Sequence, residues 1–389
     1  MPQYRHLSSP IENIQDHYTV VVVGSGYGGG IAASRLSRAG QKVCLLERGK
    51  ERQPGEFPET EHEVAAEVQA DTPEGRINAR NGLYDMRFYD DINVLVGNGL
   101  GGTSLINANV SIRPDPRLFA DKRWPEALRA DVDTLLKEGY ERAAEMLKPS
   151  SVPEQVKLAK LRAMQKSAAA MKAPWRRLEL NVTFDKLPGD MNHVGVAQPP
   201  CIQCGDCVSG CNHGAKNTTL MNYLPDAVNH GAEIYTEVEV RRISRSADGT
   251  YAVHYRILDA RRESFDAPEE SITADVVILA AGTLGSTEIL LRSRDAGLPA
   301  SPRVGEGFTG NGDVLGFAYN CDERINGVGW GHRAAEHMKD GEPEDGVRSM
   351  VMSTDSGRLV FPARSVALTL IVRIPSSEWV GFHAVKYRP

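Results

Sequence analysis

A glycine-rich turn between an apolar run and a helical pattern constrains the fold of this chain more than any other feature. Residues 18–23 are rich in valine, and Gly24, Gly26 and Gly29 follow them in the order GxGxxG. In a strand–turn–helix unit these glycines provide a tight turn, room for a pyrophosphate beside the backbone, and close packing of helix on strand. The free amides and positive dipole end of the helix then attract the phosphates. The sequence therefore predicts a dinucleotide-binding unit.

An acidic residue at the expected distance strengthens this interpretation. Residues 42–46 form a second apolar run, and Glu47 stands directly after it. In such units a carboxylate at the end of the second strand accepts hydrogen bonds from the adenosine ribose. Between the two runs, residues 28–39 carry apolar side chains toward one helix face and arginines toward the other. The alternative is a glycine turn without a ligand, and the residues leave open which dinucleotide binds.

Length, charge and composition exclude several classes of protein. The chain has 389 residues and a net charge of -6 with both signs evenly mixed, so no basic surface indicates a nucleic acid or an anionic lipid as partner. No apolar stretch reaches the length of a membrane span, and the first 16 residues hold no apolar signal core. We therefore expect two lobes, small-molecule partners, no transmembrane segment and a cytoplasmic location.

A second glycine-rich segment occupies residues 94–110, between two apolar runs. Glycines at this density allow main-chain amides to face a ligand without clashes of Cβ atoms. The alternative is a tight, buried crossing of two chain segments.

The rest of the sequence predicts alternating strands and helices in discontinuous pieces. Residues 48–91 have little period and indicate a long surface excursion, either a lid over a substrate entrance or a solvated insertion. Residues 124–172 have the period of core or cap helices, and residues 178–200 that of a loop with short extended pieces. Further elements are expected as a helix at 220–229, strands at 232–243, 251–258 and 272–280, and a helix at 284–292.

Four of the six cysteines crowd together in one short segment. Cys201, Cys204, Cys207 and Cys211 have the spacing Cx2Cx2Cx3C, with which thiolates hold an iron–sulfur cluster. Asn212 stands where ferredoxins of this type carry proline, and the sequence has no second set of cysteines to share ligands. The favoured interpretation is a structural turn of small buried thiols, with or without a disulfide. An iron–sulfur cluster or a zinc ion at these four cysteines is the alternative.

Several blocks of the chain, taken in order, resemble the glucose-methanol-choline (GMC) oxidoreductases, and most of all their cholesterol-oxidase-like branch. The blocks are the two glycine loops, residues 205–223 (GDCVSGCNHGAKNTTLMNY), the strand at 232–240, residues 280–291 (AAGTLGSTEILL) and residues 305–313 (GEGFTGNGD). The resemblance covers about residues 17–320. It implies an FAD enzyme that oxidises an alcohol, and so it selects FAD over NAD.

The resemblance also implies which residues contact the cofactor. It assigns the pyrophosphate and adenosine ribose to the first turn and its acid, the ribityl chain and flavin ring to the second loop, and the adenine side to the later blocks. The implied FAD-binding residues are Gly24, Ser25, Gly26, Gly28, Gly29, Glu47, Arg48, Gly101, Gly102, Thr103, Asn107, Ala108, Val110, Val238, Ala281 and Gly282.

In this family a histidine removes the hydroxyl proton while hydride passes from carbon to flavin. That histidine belongs to a C-terminal motif resembling His-Pro-x-Gly-Gly, which this sequence does not contain. His332, His337 and His383 are late enough to be considered, but no proline and glycines follow them, and His193 and His213 are interpreted as structural or exposed. We therefore name no catalytic residue. We expect the catalytic C-terminal segment to be missing, by truncation, by an alternative ending or by divergence.

The expected architecture is an α/β fold: an FAD-binding, Rossmann-like, mostly parallel sheet with helices on both faces, plus an incomplete α+β substrate-binding lobe. The FAD-binding domain is expected at residues 15–115 and 200–315, a helical insertion at 116–199 and a partial substrate domain at 316–389. The expected function is oxidation of an alcohol or sterol, with oxygen or a carrier as electron acceptor. The alternatives are a catalytically silent FAD-binding remnant and an iron–sulfur flavoprotein that passes electrons to a carrier.

Overall fold

The computed structural model describes residues 4–72, 75–90, 92–156, 159–258 and 269–309, together with two short strands beyond them. The strands are β1 (His17–Val23), β2 (Val43–Leu46), β3 (Val68–Thr72), β4 (Gly75–Ile77), β5 (Tyr84–Phe88), β6 (Asn93–Gly97), β7 (Ser150–Ser151), β8 (Glu179–Leu180), β9 (Glu233–Tyr235), β10 (Val238–Arg245), β11 (Tyr251–Ile257), β12 (Glu270–Leu279), β13 (Gly316–Phe317) and β14 (Ala367–Leu368). The α-helices are α1 (Tyr27–Arg38), α2 (Glu61–Glu67), α3 (Glu126–Ala130), α4 (Lys137–Leu147), α5 (Ala159–Ala170), α6 (Tyr223–Asn229) and α7 (Gly282–Asp295).

A six-stranded sheet in the order β10-β11-β12-β1-β2-β9 forms the centre of the fold. The strands β12, β1, β2 and β9 are parallel, and β1 lies between β12 and β2 with Val20 paired to Val276 on one side and to Val43 on the other. A valine-rich strand suits this central position because both of its faces are buried. The predicted mostly parallel α/β sheet is confirmed.

The two faces of this sheet are covered by different elements. Val20 and Val22 pack with apolar residues of α1 and α6, such as Ala33 and Leu224, in one core cluster. The alternate residues of β1 pack on the other face with β10, β11 and β12 and with Ile289 of α7. Side chains alternate across a strand, so consecutive valines of one strand enter both cores. Helices lie on both faces, as expected, and the antiparallel strands β10, β11 and β12 continue the same sheet beyond β1.

The stretch 232–243, predicted as one strand, is two strands with different neighbours. Its first part, β9, extends the parallel sheet beside β2, whereas its second part, β10, pairs with β11. The chain turns between them at Glu237, whose φ of 60° lies in the left-handed region. Single-strand periodicity does not reveal such a turn, since both parts keep an alternating pattern.

The prediction of an unstructured excursion at residues 48–91 is wrong. This stretch contains α2 and three strands of a second sheet, whose order is β4-β3-β5-β6. The side chain of Gln69 is fully buried there, and its Nε2 donates to the Gly82 carbonyl at 2.6 Å. Because polar residues such as Gln69 occupy inward positions, the alternation of apolar and polar residues typical of a strand is absent. This second sheet therefore depends on contacts between residues distant in sequence.

The insertion between the two parts of the large sheet is helical, as predicted. Its helices α3 and α4 have no buried residue, and Leu135 between them is 64% exposed, so they lie at the surface. The short strand β8 and an isolated bridge between Met191 and Ala197 match the expected short extended pieces. Among the described residues, no helix combines the length and apolar character needed to cross a bilayer. The expected domain boundaries stay a prediction.

Candidate functional site

The first glycine turn connects β1 to α1 at the centre of the parallel sheet. Gly24 has a φ of +96°, and a Cβ on it would lie 2.5 Å from the Ala280 carbonyl oxygen. A Cβ on Gly29 would lie 1.8 Å from the Gly24 carbonyl oxygen, whereas a Cβ on Gly26 would have no atom within 4 Å. Two of the glycines therefore permit close backbone packing, and the third leaves open space at the start of the helix.

The open space at Gly26 adjoins the free amides of α1. The first intrahelical hydrogen bond of this helix runs from the Gly30 amide to the Gly26 carbonyl at 2.8 Å. The amides of the first helical turn, which precede that bond, have no partner within the helix. They carry the positive end of the helix dipole, so this corner of the structure favours a bound anion such as a phosphate.

Glu47, at the end of β2, is hydrogen-bonded to the glycine turn. Its Oε2 accepts from the Ser25 amide at 3.0 Å and from the Ser25 hydroxyl at 2.6 Å, and its Oε1 accepts from the Gly49 amide at 2.8 Å. Burial raises the pKa of Glu47, and the hydrogen bonds from Gly49 and Ser25 oppose this shift. A carboxylate has about four acceptor positions, so one remains for a further donor.

The second glycine loop packs directly against the first. A Cβ on Gly102 would lie 2.9 Å from the Gly26 Cα, and a Cβ on Gly49 would lie 2.2 Å from the Gly99 nitrogen. The Gly101 amide donates to the Ser25 hydroxyl oxygen at 2.8 Å. The tight crossing that the sequence left as an alternative is thus present, and it borders the open face of Gly26.

Two asparagines at the end of the second loop, Asn107 and Asn109, lie close to the start of α1. The Asn107 side chain donates to the Tyr27 hydroxyl at 2.9 Å, and the Asn181 amide donates to the Asn109 carbonyl at 2.7 Å. Asn109 and Asn181 are 3% and 6% exposed, and the Oδ1 of each has no hydrogen-bond partner among the described residues. Buried polar atoms are nearly always satisfied, so these two acceptors indicate a missing donor.

The later blocks of the sequence lie close to the first turn. The Val238 amide donates to the Glu47 carbonyl at 2.9 Å, and Ala280 meets Gly24. Next to it, the Ala281 amide donates to the Ser286 hydroxyl at 3.1 Å, and Gly282 begins α7 with a φ of +71°. The structure therefore brings the adenosine-side residues of the prediction together.

Arg48 has a partner inside the protein. It donates to Asn98 at 3.0 Å and forms an ion pair with Asp85, which Arg87 also contacts. Burial alone would raise the pKa of Asp85, but the attraction and hydrogen bonds of the two arginines outweigh it and lower that pKa below its ordinary value. The described contacts of Arg48 thus support the small sheet, while its cofactor role stays a prediction.

The sequence did not single out several residues that complete this site. Tyr27 and Asn109 contact the predicted Asn107, and Asn181 is hydrogen-bonded to Asn109. The Thr219 hydroxyl donates toward the Ser25 carbonyl at 3.1 Å. The only available signal was the closely spaced pair Asn107 and Asn109. Asn181 and Thr219 reach the site only through contacts with residues distant in sequence. A local sequence pattern cannot predict such contacts.

The four clustered cysteines carry free thiols, so the expected turn of thiols is present without a disulfide. Burial raises the pKa of Cys204 to about 12. Within the described ranges, no group of three or more His, Cys, Asp or Glu side chains is arranged to hold a metal ion. Asn212, where ferredoxins carry proline, accepts from the Gly55 and Phe57 amides at 2.9 Å each. The loop is therefore anchored to residues 55–57 by its own side chains.

Of the histidines considered in the sequence, His193 and His213 lie within the described residues. His193 is exposed, with its Nε2 3.1 Å from the Met146 sulfur, and the His213 Nε2 lies 3.0 Å from the Pro200 carbonyl oxygen. His332, His337 and His383 lie outside the described residues, as do positions 310–313 of the last resembling block.

The GMC oxidoreductase family profile matches residues 27–310. A cholesterol oxidase of Mycobacterium tuberculosis is 31% identical over 304 residues, which cover 74% of this chain and 50% of that protein. A cholesterol oxidase of Acinetobacter baumannii is 27% identical over 72% of this chain and 51% of its own length. A long-chain-alcohol oxidase of Arabidopsis thaliana is 27% identical over 70% of this chain and 34% of its own length.

The chain spans about half the length of the cholesterol oxidases that it matches. The family profile covers most of the chain: it begins within the first glycine turn and includes the second glycine loop, the cysteine loop and α7. The chain therefore belongs to the GMC oxidoreductase family.

Proposed function

We propose that this chain binds FAD and that the protein oxidises the hydroxyl group of an alcohol or sterol. The observation that carries the proposal is the open face of Gly26, which lies between the free amides of α1 and the second glycine loop. A Cβ at this position would fill space that the protein itself leaves empty, as expected where a pyrophosphate approaches the backbone.

The surrounding residues fit the rest of the cofactor. The α1 amides would hold the pyrophosphate, and the remaining acceptor position of Glu47 would take a ribose hydroxyl. The unsatisfied Oδ1 atoms of Asn109 and Asn181 would accept from polar N–H or O–H groups of the cofactor at the other end of the loops. When bound, FAD supplies the acceptor for a hydride from the carbon that bears the substrate hydroxyl.

The substrate class is proposed from the relatives. Their names state cholesterol and long-chain alcohols, so a bulky or long apolar alcohol is the proposed substrate. His193 and His213 are not proposed as catalytic residues, since their described partners are the Met146 sulfur and the Pro200 carbonyl. Oxygen or a carrier would accept the electrons, and the cytoplasm is the proposed location, supported by the free thiols of the described cysteines.

The cofactor proposal is tested by Gly26→Val. Gly26 has a φ of -62°, which valine tolerates, and its Cβ would meet no protein atom, so the variant should fold while its side chain enters the phosphate position. We expect purified wild-type protein to release stoichiometric FAD and Gly26→Val to release almost none. Gly139→Val is the matched control, because Gly139 also has open space around it but lies in α4. Equal FAD content in all three proteins would contradict the proposal.

The oxidation step is tested separately by anaerobic titration with an alcohol or sterol. Bleaching of the flavin absorbance supports the proposed reaction, and reoxidation by oxygen or by an added carrier identifies the acceptor. A bound flavin that no alcohol bleaches would indicate the catalytically silent alternative. Broad brown absorbance with stoichiometric iron would instead indicate an iron–sulfur flavoprotein.

A further inference from the structure

Lys216 is a buried cation that no step of the proposed function uses. It is 3% exposed, and its Nζ donates to the carbonyl oxygens of Leu105, Asn107 and Cys207 at 2.8, 2.9 and 2.8 Å. An ammonium group has three donors, so the three carbonyls use all of them. Burial of a charge lowers stability even when the charge is hydrogen-bonded. Here the buried charge lies where the cysteine loop contacts the second glycine loop.

The backbone around Lys216 is anchored on its other side. Lys216 forms an isolated bridge with Val182, the Thr183 amide donates to the Ala215 carbonyl, and the Asn217 amide donates to the Asn181 carbonyl. Because the Asn181 amide in turn donates to Asn109, three chain segments are joined side by side. The lysine side chain therefore extends from a fixed base to the carbonyls of the loop.

These contacts set the direction of the peptide groups that follow them. The peptide bonds of the described chain are trans, and across a trans peptide the carbonyl and the next amide point in opposite directions. With the Asn107 carbonyl held toward Lys216, the Ala108 amide points away from it. The Asn107 side chain is meanwhile bonded to Tyr27 at the start of α1.

We propose that Lys216 is a positioning residue of the cofactor site. Its side chain holds the loop of residues 105–110 in its binding conformation from the side opposite to the Ala108 amide. Burial lowers the pKa of Lys216 to about 8, so the ammonium form with all three donors predominates at neutral pH. The cofactor part of this inference rests on the proposed function. The part that concerns the conformation of the loop does not.

The test compares Lys216→Met with Asp226→Asn. Asp226 is also a buried charge, 2% exposed, but it accepts from Ser34 and Arg38 in the later part of α1, away from the loop. We expect Lys216→Met to exchange the amides of residues 105–110 at least tenfold faster in hydrogen–deuterium exchange of the cofactor-free protein. We also expect it to raise the FAD dissociation constant at least tenfold. Asp226→Asn should lose global stability and leave both quantities within about twofold of wild type.

Unchanged loop exchange in folded Lys216→Met would overturn the proposal, as would equal loop exchange in Lys216→Met and Asp226→Asn. If Lys216→Met does not fold, Lys216→Gln keeps amide donors and is expected to show smaller changes in the same direction; wild-type exchange in that variant overturns the proposal too. If wild-type protein binds no FAD, the proposed function fails, while the exchange measurement still decides whether Lys216 holds the loop.

Discussion

The Ser25 hydroxyl donates a 2.6 Å hydrogen bond to the Glu47 carboxylate, and the same hydroxyl oxygen accepts from the Gly101 amide. One side chain thus connects the end of β2, the first glycine turn and the second glycine loop. Since Ser25 is fully buried, no water replaces these bonds when the hydroxyl is removed.

We expect Ser25→Ala to lower the free energy of unfolding by about 2 kcal/mol, because it removes a hydrogen bond to a buried charge. Ser37→Ala is the control: its hydroxyl, also buried, donates to the uncharged Ala33 carbonyl at 2.7 Å, and a loss of about 1 kcal/mol is expected. Urea unfolding of both variants makes the measurement. Equal losses would show that the charge of Glu47 adds nothing to the bond.

Gly29→Ala should prevent folding or cost more than about 3 kcal/mol. Its Cβ would lie 1.8 Å from the Gly24 carbonyl oxygen, which is backbone and bound into the central turn. Gly28→Ala, one residue earlier in the same helix, would place its Cβ 3.8 Å from the Ala280 Cβ, an ordinary contact. Soluble yield and thermal unfolding compare the two variants, and a Gly29→Ala protein as stable as Gly28→Ala would refute the packing described for this turn.

Asp85 should make the protein sensitive to acid. Its pKa is lowered in the folded state from the ordinary 3.8, so its stabilisation is present above that value and is lost as the pH falls through the folded-state pKa. At neutral pH we expect Asp85→Asn to cost about 3 kcal/mol, because it leaves Arg48 without its carboxylate and Arg87 with Glu288 alone.

The difference in unfolding free energy between wild type and Asp85→Asn should therefore shrink in acid, and urea titrations over a range of pH measure it. Asp71→Asn is the control, since Asp71 forms an ion pair with Arg76 but its side chain is 59% exposed. A cost of at most about 1 kcal/mol is expected there. A constant difference for Asp85→Asn at every pH would contradict the prediction.

Lys216 should add to the stability of the protein in alkali. Its pKa is about 8 in the folded protein against an ordinary 10.5, so between these values the unfolded chain binds more protons and the contribution of Lys216 to stability rises with pH. The difference in the free energy of unfolding between wild type and Lys216→Met should increase in favour of wild type by up to roughly 3 kcal/mol across this window. Buried tyrosines titrate alike in both proteins and cancel in the difference. If this difference in unfolding free energy instead decreases as the pH rises, folding raises the lysine pKa and the prediction is wrong.

Local patterns were sufficient for one part of the fold and insufficient for another. The valine run of β1, the spacing of Gly24, Gly26 and Gly29, and the position of Glu47 predicted the β1–α1–β2 unit, because each lies within one short stretch. The small sheet was missed because inward residues such as Gln69 are polar and are satisfied only by distant carbonyls.

The same distinction holds within the candidate site. Glycine positions follow from turn geometry, which the sequence displays directly. The contacts of Lys216 with Leu105 and Asn107 join residues more than 100 positions apart, and those of Asn181 with Asn109 join two loops without regular period. Such residues look like ordinary polar positions until the chain is folded.

The central place of β1 has a consequence for synthesis of the protein. One of its neighbours, β2, leaves the ribosome soon after it, but the other, β12, is made more than 200 residues later. Until then one side of β1 is an open strand edge, and the Ala280 backbone that closes on Gly24 has not yet been made. A nascent chain therefore has an unpaired strand edge while more than 200 residues are made, which favours association with a chaperone during that interval.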